Sequence, residues 1–239
     1  MISREVLRDK IAMMVSAAAI YLADDVKEAL RRAYEREERT VAKSVLRSIL
    51  DNVKIAEEEM RPLCQDTGTL LYYIKAGEDF PMLGELPAII KEATVKATAS
   101  TPLRPNAVDV ITGKNSGDNT GEGIPWIEWE IIPESEEAEI TVMLKGGGSE
   151  GPSLAKTIPP GLGVKGALKL AIDDVFEAGA KPCPPVIVGV GLGPTGDIAM
   201  KLAKKALLRR IGERHPRPEV AELEDKLLRA VNALGWGPH

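Results

Sequence analysis

One proline divides this chain into two kinds of sequence. From Ser3 to about Glu59 the apolar residues recur at intervals of three and four: Val6, Leu7, Ile11, Met14 and Val15, then Val41, Val45, Leu46, Ile49, Leu50 and Val53. That spacing lines them up on one stripe of a helix. Pro62 closes the region, because the residue before a proline is pushed out of the helical basin. Breaks near Asp24-Asp25 and Glu38 to Thr40 divide the stretch into three helices, with Asp25 and Thr40 expected as N-caps of the second and third.

Past Pro62 short apolar runs alternate with helix-like ones. Leu70 to Ile74 reads as a strand, Leu86 to Thr98 as a helix and Val108 to Ile111 as a strand. Trp126 to Ile132 and Ile140 to Leu144 flank a charged turn, Glu134 to Glu137, and read as a hairpin. Helices are expected over Val164 to Glu177, Asp197 to Ile211 and Pro218 to Leu234, with Pro184 to Val190 as a buried strand. The expected fold is mixed α/β in a single 1–239 domain: a helical segment over 1–60 packed on an α/β core with mixed sheets over 61–239.

Composition excludes several functions. A net charge of -5, from 36 acidic against 31 basic residues without a block of one sign, offers no surface for a phosphate backbone. Trp126, Trp129 and Trp236 are not interleaved with basic residues, so no base-stacking platform is expected. The apolar stretch near the N-terminus runs for only about a dozen residues, too short to span a bilayer, and Asp24-Asp25 follow it without a cleavage site. Two distant cysteines do not make a secreted disulfide scaffold. A cytoplasmic protein is expected.

Three junction segments are too glycine-rich or too polar for ordinary packing. Cys64-Gln65-Asp66-Thr67-Gly68 places a thiol, an amide and a carboxylate in one turn; an Asx-type turn beside a buried cysteine is the structural alternative. Lys145-Gly146-Gly147-Gly148-Ser149-Glu150 follows a strand, and consecutive glycines let backbone N–H groups surround an anion. It lacks the Gly-Lys-Ser/Thr ending of a P-loop, and a flexible loop end is the alternative. Lys181-Pro182-Cys183-Pro184-Pro185 frames a thiol with prolines, as suits either a ligand or a rigid buried cysteine. Downstream, Gly191, Gly193 and Gly196 satisfy dinucleotide-binding spacing. A Rossmann unit also needs a second parallel strand with an acidic residue, and Gly212 to Pro218 is polar and leads into another helix.

Taken in order, Pro62-Leu63-Cys64-Gln65-Asp66-Thr67-Gly68, Lys145-Gly146-Gly147-Gly148-Ser149-Glu150 and Cys183-Pro184-Pro185 with its Gly-Val-Gly-Leu-Gly run resemble the class I, iron-sulfur fumarase family and its tartrate dehydratase relatives, over essentially the whole chain. The resemblance implies a hydro-lyase α subunit interconverting fumarate and malate, or dehydrating L-tartrate. It further implies a 4Fe-4S cluster held by three cysteines, with Cys64 and Cys183 at two of those positions. Gln65, Asp66, Arg104, Lys145, Gly146, Gly147 and Gly148 fall where the family contacts a small dicarboxylate, with Asp66 assisting proton transfer. Arg104 would clamp a carboxylate, a task suited to the guanidinium fork. The family's third cysteine lies beyond Gly-Pro and is not in this sequence. Pro194 stands where the family usually has glycine, and Gly151-Pro152 departs from the usual residues after Ser-Glu. A β subunit is the implied partner, in a homodimer of α chains or an α2β2 assembly, and a catalytically inactive subunit is the alternative. His215 reads as a solvated structural residue and His239 as a disordered terminus.

Overall fold

The computed structural model describes residues 2–238; His239 and the expectation placed on it lie outside them. The chain forms two compact units, Met1–Leu22 with Asp51–Gly147, and Ala23–Leu50 with Gly148–His239.

Three helices open the chain: α1 (Arg4–Ile20), α2 (Asp24–Arg36) and α3 (Thr40–Glu59), the last divided between the units. The Ser3 hydroxyl caps α1 through the Val6 N–H. Asp25 is not the N-cap of α2, which begins one residue before it. Its carboxylate instead accepts from the Ile211 N–H at 2.6 Å within unit 2, and that bond holds it below the usual carboxylate range.

Unit 1 is built on a three-stranded sheet of β1 (Thr69–Gly77), β2 (Trp126–Ile132) and β3 (Ala138–Lys145), in the order β2-β1-β3. Alternate β1 residues, Leu70, Tyr72, Ile74 and Ala76, are fully buried, as the two-residue period of a strand requires. They meet Ile11 and Val15 of α1 and Leu86, Ile89, Ile90 and Ala93 of α4 (Leu86–Ser100) in one core. Tyr72 shares a 3.0 Å hydrogen bond with the Thr94 hydroxyl, which donates onward to the Ile90 carbonyl. Since the threonine proton is thereby spent, the phenol is the donor.

The expected hairpin between β2 and β3 is not formed. Both strands pair with β1, β2 in parallel and β3 antiparallel, because the nine-residue β1 has buried positions to offer along its whole length. Their connection passes over the end of β1 at Gly77, closed by Gly77 N–H to Glu137 and Glu78 N–H to Ile132 carbonyls. A Cβ at Gly77 would collide with the Ser135 carbonyl oxygen, so only glycine admits this crossing.

The strand expected over Val108 to Ile111 is also absent. Val108 makes one isolated bridge with Asn115. Beyond it the Asp109 carboxylate accepts from the Ile111 and Thr112 N–H groups and the Thr112 hydroxyl, closing a turn that leaves Val110 and Ile111 exposed.

Unit 2 carries α5 (Gly147–Glu150, begun in unit 1), α6 (Gly163–Ala178), α7 (Gly196–Ala206) and α8 (Pro218–Asn232). Helix α7 stops short of the expected Ile211. None of α6, α7 or α8 has a fully buried residue. Pro184 to Val190 belongs to no sheet, and of its residues only Pro184 is buried. The reason lies in its neighbours: Gly189, Gly191 and Gly193 press their backbones against Ala203 and Ala199 of α7, while no described strand lies alongside to accept its hydrogen bonds. With no second parallel strand after α7, the dinucleotide-binding unit is not formed among the described residues. Among them, too, no helix is long and apolar enough to cross a membrane.

Candidate functional site

Strand directions in unit 1 bring three loops to one end of the sheet. Strand β1 begins there after Cys64–Gly68; parallel β2 also begins there, after the 101–125 connection; antiparallel β3 ends there, with Thr69 opposite Lys145. Two of the three segments that stood out in the sequence, Cys64–Gly68 and the start of the glycine loop at Lys145, are therefore neighbours in space, joined there by the loop that carries Arg104.

Asp66 joins them. One carboxylate oxygen accepts from the Gly147 N–H at 2.7 Å, the other from the Gly68 N–H at 3.1 Å and the Asn106 side-chain amide at 3.3 Å. A turn, a glycine loop and the arginine-bearing loop thus share one half-buried anion. Gly68 makes the approach possible: its φ is +83°, and a Cβ would lie 2.7 Å from the Lys145 backbone. Upstream, Leu63 is held by its N–H to the Ala19 carbonyl and by the Asn52 side chain to its own carbonyl. Cys64 and Gln65 then stand exposed, the thiol donating to the Gln65 side-chain oxygen at 3.6 Å.

Arg104 is exposed, and it makes no ion pair among the described residues. Its backbone is tightly held: its N–H donates to the Thr67 hydroxyl at 3.1 Å, and its carbonyl accepts from the Asn119 side chain at 3.2 Å. An exposed guanidinium on a fixed backbone, without an ion pair among the described residues, is suited to a carboxylate. The Gly147 amide is already used by Asp66, so in this arrangement the loop's order comes from Asp66.

The remaining expected site residues, Gly148 and Cys183, belong to unit 2. Gly148 stands against the Lys181 carbonyl there, 3.1 Å from where its Cβ would be. Cys183 is exposed in the left-handed region at φ 57°. His215 is engaged structurally, its N–H donating to Glu224 and its ring nitrogen Nδ1 accepting from the Arg217 N–H. Sequence reasoning passed over Thr67, Asn106, Asn115 and Asn119, which brace the arginine loop. Their only sequence signal is a density of short polar side chains, which solvated turns share.

A model of the fumarate hydratase (Fumerase) family matches residues 8–239. The chain belongs to the fumarate hydratase family. Within it, the Escherichia coli K12 protein named L(+)-tartrate dehydratase subunit alpha is 40% identical over 232 residues, covering 97% of this chain and 77% of that protein. A Methanocaldococcus jannaschii protein named putative L(+)-tartrate dehydratase subunit alpha is 44% identical over 234 residues, covering 97% and 82%.

The class I fumarate hydratase resemblance implies an iron-sulfur cluster held by three cysteines. The chain has two thiols, one in each unit. No group of three or more His, Cys, Asp or Glu side chains suited to a metal gathers among the described residues. These residues do not make up a three-thiolate site.

Proposed function

We propose that this chain is the α subunit of a hydro-lyase that removes water from, or adds it to, a small dicarboxylate, with L-tartrate as the substrate. The observation that carries the reading is the meeting of the Asp66 turn, the glycine loop and the Arg104 loop at one end of the sheet. The names of the relatives support tartrate; the family description supports fumarate and malate as a second reading.

In this reading Arg104 grips one carboxylate through two parallel hydrogen bonds. Lys145 and the glycine loop hold the other end, and the exposed Gln65 amide orients a substrate oxygen. A carboxylate offers about four lone-pair sites, and Asp66 fills three with Gly147, Gly68 and Asn106. The fourth is left to accept a proton from a substrate hydroxyl. A β subunit completes the site.

The test uses the chain assembled with its partner subunit and prepared without oxygen. L-Tartrate and fumarate are supplied separately, and oxaloacetate and malate are measured along with bound iron. Oxaloacetate from tartrate supports the first reading and malate from fumarate the second. Conversion of neither overturns the assignment.

A further inference from the structure

We propose that Asn119 is a positioning residue for the carboxylate-binding subsite, acting through the backbone of Arg104; this rests on the reading of Arg104 as the carboxylate anchor. Asn119 is 2% exposed and sits in the left-handed region at φ 61°, a conformation asparagine tolerates better than most residues. Its amide is committed on every side. The NH2 group donates to the Arg104 carbonyl at 3.2 Å and to the Thr98 hydroxyl at 3.2 Å. The side-chain oxygen accepts from the Asn106 N–H at 2.7 Å.

One side chain therefore fixes the polypeptide on both sides of Pro105. The intervening Pro105 carbonyl is taken by Asn115 at 2.9 Å, and the Arg104 N–H by Thr67 at 3.1 Å. Thr98 anchors Asn119 in turn to α4, its hydroxyl in reach of the Thr94 and Asp118 carbonyls. The bracing does not end at Arg104: Asn106, whose N–H Asn119 receives, sends its own amide to Asp66. The same buried group thus sets the origin of the guanidinium and steadies a partner of the carboxylate that orders the glycine loop. Arginine is long and loses several rotors on binding, so a fixed backbone confines that cost to the side chain. A loop free to shift by an ångström would spread the fork over many orientations.

A coupling experiment on the chain assembled with its partner subunit separates this role from simple bracing. L-Tartrate is titrated calorimetrically into wild type, Arg104→Gln, Asn119→Ala and the double variant, with the thermal midpoint of each recorded. Arg104→Gln is expected to weaken binding by at least about tenfold and Asn119→Ala by about tenfold. The double variant is expected to bind no more weakly than Arg104→Gln alone, because residues acting through one group are not additive. The thermal loss from Asn119→Ala should be the same in both backgrounds.

If Asn119→Ala lowers the midpoint and leaves tartrate affinity at the wild-type value, Asn119 is merely structural and the inference fails. Multiplying losses in the double variant also overturn it, since the two residues would then act separately. Should Asn119→Ala not fold, Asn119→Asp takes its place: it keeps the acceptor for Asn106 and loses the donor to the Arg104 carbonyl, and the same cycle applies. Unchanged affinity in Arg104→Gln, or no tartrate binding by wild type, overturns the carboxylate-anchor reading itself and the inference with it.

Discussion

Replacing Asp66 with alanine removes the acceptor shared by three donors, and the consequences can be worked bond by bond. The Gly147 bond is short at 2.7 Å and charge-assisted, a class worth about 1.5–3 kcal/mol. Because Asp66 is half-buried, the low end applies. About 1.5 kcal/mol is a little over tenfold in an equilibrium, so the Gly147 amide should exchange with solvent roughly ten times faster. The Gly68 and Asn106 bonds, at 3.1 and 3.3 Å, add about 1 kcal/mol or less each, for a total near 3 kcal/mol. At about 2–4 °C per kcal/mol for a chain of this length, the melting midpoint should fall by roughly 6–12 °C. Asp66→Asn should lose less, because the amide oxygen can still serve Gly68 while its NH2 group faces the Gly147 donor. Hydrogen exchange resolved to Gly147, with thermal melts of both variants, provides the assay. Wild-type exchange at Gly147 in Asp66→Ala would refute the carboxylate as organiser of the glycine loop.

Three further outcomes follow from other parts of the chain. Gly77→Ala should cost at least about 1–3 kcal/mol by urea titration, the range for overpacking, because its Cβ meets the Ser135 carbonyl oxygen; Gly84→Ala, with open space around it, should stay within about 0.5 kcal/mol. Burial pushes the Tyr72 hydroxyl from 10.0 up to about 12. The folded state therefore favours the neutral phenol: its contribution is fully present below pH 10 and is lost as pH rises through about 12, to a limit of about 3 kcal/mol. Tyr72→Phe should flatten that alkaline decline in denaturant melts; an equally steep decline in the variant would exclude Tyr72 as its source. His215→Ala should leave turnover of the assembled enzyme within about twofold while lowering the midpoint modestly, since only the Nδ1 acceptor of the Arg217 N–H is lost and the backbone N–H to Glu224 is kept.

Where local signals and the fold agreed, the sequence was readable. The helical periodicity of α1, the alternation within β1 and the apolar face of α4 each express a packing surface that a single element carries in its own residues. The loops bearing Cys64, Asp66 and Lys145 stood out because glycine and short polar side chains have no business at an ordinary strand end. The strand order was not readable, because adjacency in sequence favours a β2–β3 hairpin, and only the requirement to cover β1 on both edges overrides it. Pro184 to Val190 reads as buried by composition alone, yet burial needs a neighbour, which no residue of the segment specifies. Asn119 was invisible for a related reason. Its importance lies in three partners, Thr98, Arg104 and Asn106, whose positions relative to it exist only after the 101–120 connection has closed.

The pairing of Thr69 with Lys145 makes the site a measure of strand length. Deleting one residue from β3 would draw Lys145 about 3.4 Å along β1 and turn every following side chain to the opposite face. The far end of the sheet, at the crossing over Gly77, would transmit such a change undiminished. The turn at Asp109 to Lys114, exposed and closed on itself, could lengthen or shorten without altering the ladder. Among chains sharing this architecture, changes in length should therefore collect in turns of that kind and be excluded from the strands that count out the distance to the site.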